Sequence, residues 1–134
     1  MSVEIVERDD IRVLFTRTSD SQAEITRTWA EVEHAVGSLR GRKFYGAFDP
    51  RTEEYWVCVQ QQAGDDPDAL GLEEGTLPGG RYARERLVGE PPAVYGLIRP
   101  AFERLAARAD ADSMRPSLEF YRRRDEIDLL LPVR

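Results

Sequence analysis

Of the 25 acidic residues in this chain, one stands where a carboxylate could act on a ligand or a substrate. Glu119 lies in the run Ser117-Leu118-Glu119-Phe120-Tyr121, with no basic residue following until Arg122. In an extended chain alternate residues share a face, so Tyr121 points the same way as Glu119. Two readings of the acid are open. On a solvated sheet face it pairs with a nearby arginine. Partly buried, it titrates high because desolvation disfavours its charge, and a delocalised cation beside it favours the ionised form. Aromatic rings suit such a ligand, adding apolar area and cation–π attraction to the charge of the carboxylate. Tyr95 and Phe102 are seven apart and share one helical stripe. Phe102 leans toward core, and Tyr95, whose hydroxyl needs a partner, toward a groove edge. Trp29 sits mid-stripe and reads as core. Trp56 faces opposite to Tyr55 and Val57, which places it on a cavity wall or an interface. Tyr82, in a long extended segment, is a weaker candidate.

Other chemistries lack their residues. One His and one Cys rule against a zinc site of such ligands, and no metal or cofactor is expected. His34 falls off the helical stripe and reads as solvated, which also leaves Ser and Thr without a partner for a hydrolytic triad. Gly75 to Gly80 lacks the lysine and the strand–turn–helix setting of a phosphate loop. Asp65-Asp66-Pro67-Asp68 lacks calcium-loop spacing and reads as a solvated loop. Arg122-Arg123-Arg124 reads as a solvated turn. With 19 basic residues against 25 acidic ones, a net of −6, general nucleic-acid binding is disfavoured and a neutral or cationic partner fits better. Cys58 is alone, so nothing signals an oxidising compartment. The stretch Met1 to Asp10 has no apolar run, and none elsewhere approaches the roughly 20 residues that cross a bilayer. A cytoplasmic protein without a membrane partner is expected.

Placing Glu119 requires a scaffold, and the periodicity of the chain outlines one. At 134 residues, 41% apolar and 33% charged, the chain reads as one globular domain. Ile25, Trp29, Val32, Val36 and Leu39 mark one face of a helix over Ser19 to Leu39, with Ser19 or Asp20 as cap and Gly41 just past its end. Lys43 to Asp49 and Glu54 to Gln61 form a hairpin turning at Asp49-Pro50-Arg51-Thr52. The order then recurs. Glu90-Pro91-Pro92 opens a helix carrying Val94, Ile98, Phe102, Leu105 and Ala109, and after a polar break Ser117 to Arg123 and Ile127 to Val133 form a second strand pair. Extended segments, Ile11 to Arg17 and Arg81 to Val88, precede the two helices. Gly64 to Asp68 is a loop, and Pro78-Gly79-Gly80 reads as a bend inside one long strand.

The expectation is an α+β fold of duplicated β-α-β-β units with pseudo-two-fold symmetry, repeat one over about residues 3–63 and repeat two over about 72–133. Both helices cover one face of an antiparallel sheet and leave a groove on the axis. Overlaying Lys43-Phe44-Tyr45 on Glu119-Phe120-Tyr121 makes Tyr45 a further groove candidate. The same overlay sets Glu54-Tyr55-Trp56-Val57 on Glu126-Ile127-Asp128-Leu129.

The runs LPGGRYARERLVGEPPAVYGLIRPAFERL and RPSLEFYRRRDEIDLLLPV, with the hairpin GRKFYGAFDP, resemble the GyrI-like family, the effector-binding domain of bacterial AraC- and MerR-type multidrug regulators. The resemblance implies binding of lipophilic, often cationic aromatic compounds between the halves, with an acid on the penultimate strand at the pocket floor, a position that falls on Glu119. Some stand-alone members are similar to hydrolases that open cyclopropane-bearing alkylating compounds with a pocket Glu, and others are associated with inhibition of DNA gyrase. No room for a helix-turn-helix precedes the first strand, so a sensor module without a DNA reader is expected. The leading expectation is a stand-alone binder of such cations. The alternatives are a hydrolase in which Glu119 activates water, and an acidic interaction protein acting on gyrase. A homodimer through strand edges and Trp56 stays open.

Overall fold

In the computed structural model, which describes residues 3–134, strands β1 (Glu4–Arg8) and β2 (Ile11–Ser19) lead into helix α1 (Gln22–Val36), then β3 (Phe44–Asp49) and β4 (Glu54–Gln60). A helical turn, α2 (Pro67–Leu70), leads to β5 (Glu73–Leu77) and β6 (Gly80–Val88). A 3-10 turn (Ala93–Leu97) runs into α3 (Ile98–Arg108), and β7 (Ser117–Arg123) and β8 (Glu126–Pro132) follow. The eight strands form one curled antiparallel sheet in the order β1-β6-β8-β7-β3-β4-β2-β5. The fold class is α+β. No helix among the described residues is long and apolar enough to cross a membrane.

Directly paired residues of neighbouring strands share a face, and the ladder Val57–Gly46–Glu119–Leu129 therefore defines one side of the sheet. Both helices pack on that side. Val32 of α1, with Ile25, Trp29 and Val36, packs on Leu14, Tyr55, Val57 and Val59. Ala101 and Leu105 of α3 pack on Ala83, Leu87, Ile127 and Leu129. The opposite side carries its own core, because the curled sheet folds over it: Val13, Phe15, Tyr45, Cys58, Leu77, Tyr82, Leu118 and Leu130. Cys58 lies fully buried there, and desolvation pushes its thiol up, so it is inert packing material.

Several boundaries differ from the sequence expectation. Helix α1 stops at Val36, since Gly37 takes a positive φ of 72° that ends the helix before Leu39. The second helical segment opens with a 3-10 turn and becomes α-helical only at Ile98. The expected long strand through Pro78-Gly79-Gly80 is two strands on different neighbours, β5 on β2 and β6 on β8 and β1. Gly79 makes this crossing feasible, because a Cβ there would stand 2.5 Å from the Arg8 carbonyl oxygen. The N-terminal run is likewise split, and β1 pairs with β6 of the other half of the chain. Asp65 is not freely solvated: it forms a half-buried bidentate pair with Arg42, at 2.7 and 2.9 Å. Asp66 caps α2, its side chain accepting from the Asp68 amide.

Candidate functional site

Strands β7 and β3 run side by side at the middle of the sheet, between the strands that α1 and α3 cover. Above them lies a groove of about 1290 Å³, walled by Trp29, Phe44, Phe48, Tyr95, Phe102 and Tyr121. That exceeds the roughly 300–1,000 Å³ of most small-molecule pockets and leaves room for a bulky ligand.

Glu119 stands at its floor, 9% exposed. The Tyr55 hydroxyl donates to Glu119 Oε1 at 2.7 Å, and the Tyr121 hydroxyl donates to the same oxygen at 2.6 Å. Gly46, opposite Glu119 on β3, makes this convergence possible. A Cβ at Gly46 would overlap the Tyr55 hydroxyl and lie 2.8 Å from Glu119 Oε1. Burial pushes the Glu119 carboxyl above its ordinary range; the two tyrosine hydrogen bonds pull it back, and the charge of Asp20 adds to the rise. Tyr55 and Tyr121 are held well above the usual phenol range by burial and by the charge of Glu119, so both remain protonated donors.

The rings interlock around this centre. Trp29 meets Tyr121 edge-on at 5.0 Å and Phe44 at 5.9 Å, while Tyr95 meets Tyr121 edge-on at 6.5 Å. Arginines also line the groove, but most already face an acid. Arg42 is paired with Asp65, Arg99 with Asp20 at 3.6 Å, and Arg122 and Arg123 with Glu126 at 3.8 and 3.9 Å. Arg122-Arg123-Arg124 is therefore a rim feature and not only a solvated turn. Among the described residues, no cationic side chain pairs with Glu119.

The seven candidates named from the sequence divide between the two faces. Glu119, Tyr121, Tyr95 and Phe102 come together in the groove, with Tyr95 at its edge, 37% exposed. Tyr45, Trp56 and Tyr82 lie on the other side of the sheet. Tyr45 stands opposite Phe120 and stacks on it at 4.8 Å, Trp56 stacks on Phe15 at 3.7 Å, and Tyr82 is fully buried among core residues. The reason for Tyr45 is register. The ladder sets Phe44, not Tyr45, opposite Tyr121, and a slip of one residue exchanges the two faces. Trp29, which reads as core, is both core and groove wall. Sequence reasoning misses Tyr55 and Gly46. The alternation that turns Trp56 away from Tyr55 carries the signal for Tyr55, and a glycine inside a strand marks a close approach.

No protein-family profile and no curated protein sequence matches the chain. Solved structures do. An integron cassette protein, VCH_CASS2, from the mobile metagenome of Vibrio cholerae matches with a TM-score of 0.80 at 17% identity, covering 99% of this chain and 96% of that one. SAV2435, solved bound to tetraphenylphosphonium, matches with a TM-score of 0.71 at 13% identity, covering 100% and 94%. A hydrolase from Listeria innocua matches with a TM-score of 0.56 at 13% identity, covering 99% and 92%. At these identities the likeness is one of fold. These neighbours are consistent with a GyrI-like fold.

Proposed function

We propose that this chain is a GyrI-like binder of lipophilic aromatic cations, taken up in the groove between α1 and α3 with Glu119 as counter-charge. One observation carries the reading: a buried carboxylate that, among the described residues, has no cationic partner, at the floor of an aromatic groove. Leaving such a charge unpaired is costly, and an organic cation with delocalised or shielded charge offsets that cost without a large desolvation penalty of its own. The tetraphenylphosphonium bound to a neighbour of the same fold supports the ligand class. The proposal extends to a duplicated origin, supported by a strand order that reads the same from either end once β1–β4 are exchanged with β5–β8.

Two tryptophans on opposite faces provide the test. Tetraphenylphosphonium is expected to quench Trp29, which lines the groove, and to leave Trp56 unaffected. Quenching should therefore persist in Trp56→Phe and vanish in Trp29→Phe, whereas quenching carried by Trp56 would place the ligand elsewhere.

The raised basicity of Glu119 favours one second reading, hydrolysis of a strained electrophile. Glu119 would take a proton from water as the oxygen bonds to a ring carbon, and the opening ring would receive a proton in turn. Mass spectrometry separates this from binding, through a product heavier than the substrate by one water.

A further inference from the structure

The floor of the groove is chemically one-sided. Both tyrosine hydroxyls spend their single protons on Glu119 Oε1, at 2.7 and 2.6 Å, and have none left for a ligand. Among the described residues nothing donates to Oε2, and that oxygen is not one of the sealed, unpartnered polar atoms, so it opens to the groove. The packing of Tyr55 against Gly46 fixes which oxygen is used internally and which is left over. At Glu119 the floor therefore presents a charged acceptor whose two tyrosine neighbours have no proton to offer a ligand, beneath walls of aromatic rings.

We propose that, among lipophilic aromatic cations, the groove selects those whose charged centre carries an N–H, protonated amines and amidinium-type groups, with that N–H donated to Glu119 Oε2. This rests on the cation-binding reading above and narrows it. A quaternary ammonium or phosphonium of similar size meets the same charge and the same rings. It displaces water from Oε2 without replacing the hydrogen bond, and a charge-assisted bond left unmade in a buried place is a substantial loss.

The test is a matched pair of ligands titrated calorimetrically into the whole chain. One is N,N-dimethyl-1-naphthylmethylamine, protonated at neutral pH; the other is trimethyl(1-naphthylmethyl)ammonium, in which a methyl replaces the N–H. The protonated amine is expected to bind about tenfold tighter. That preference should disappear in Glu119→Gln, with the fold checked by circular dichroism. Equal affinities, or tighter binding of the quaternary ion, in the wild type would overturn the inference, as would a preference that survives Glu119→Gln. Tetraphenylphosphonium serves as the third ligand. If it binds while the pair shows no preference, only the N–H selectivity fails; if none of the three binds, the cation-binding reading fails with it.

Discussion

Glu119→Gln is expected to weaken binding of tetraphenylphosphonium about a hundredfold while leaving the fold intact. The substitution keeps the shape of the side chain and an acceptor for Tyr55 and Tyr121, and removes only the charge. A cation about 6 Å from a carboxylate at an effective dielectric of about 20 gains about 2.8 kcal/mol, which is about two decades in Kd. Four of the groove's five arginines, Arg42, Arg99, Arg122 and Arg123, face acids of their own and do not compete for that carboxylate. The amide also spares the protein a buried charge, so the unliganded variant should be no less stable than the wild type at neutral pH. Unchanged affinity, measured by calorimetry, would remove Glu119 from the site.

Gly46→Ala should damage stability and binding together. The added Cβ overlaps the Tyr55 hydroxyl and comes within 2.8 Å of Glu119 Oε1, and Tyr55 is too deeply buried to swing clear. Overpacking of this kind costs about 1–3 kcal/mol, which for a domain of this size lowers Tm by roughly 4–11 °C. Cation affinity should fall as well, because the displaced Tyr55 no longer holds Oε1. Tyr55→Phe in the Gly46→Ala background removes the overlapping oxygen but not the ring carbon 2.7 Å from the new Cβ, so only part of the loss should return. A melting temperature unaffected by Gly46→Ala would mean that the glycine is not what lets Tyr55 reach Glu119.

Local periodicity makes much of this molecule legible. The stripe through Ile25, Trp29, Val32 and Val36 sets the buried face of α1, and the Asp49-Pro50-Arg51-Thr52 turn marks the β3–β4 hairpin. Parity along Glu119-Phe120-Tyr121 puts the acid and one of its tyrosines on the same side. The exchange of β1 and β5 between the halves is not legible, because both strands pair with segments remote in sequence and nothing local encodes that choice. Site residues fail where faces have to be matched across strands. An overlay of the halves out of register carries Tyr45 to the wrong side. Attention to Trp56, whose counterpart is polar Asp128, draws notice from Tyr55 beside it, although Tyr55 makes the hydrogen bond that orients the carboxylate. Asp128 is itself buried and bonded to Arg86, so that face is not open.

Tetraphenylphosphonium has no group that titrates, so the pH dependence of its affinity reports on the protein alone. Burial raises the Glu119 pKa, and the bound cation favours the ionised form, so proton and ligand compete for one carboxylate. Asp20, Glu33, Glu53 and Glu103 are further carboxylates lining the groove, which makes Glu119→Gln the necessary reference. The decisive measurement is the Kd of tetraphenylphosphonium across the acid-to-neutral range in both proteins. Affinity in the wild type should be constant above the raised Glu119 pKa and fall below it by about a hundredfold in all, levelling off near the affinity of Glu119→Gln, which shows no such limb. A wild-type profile parallel to that of Glu119→Gln would contradict the assignment of Glu119 as the counter-charge.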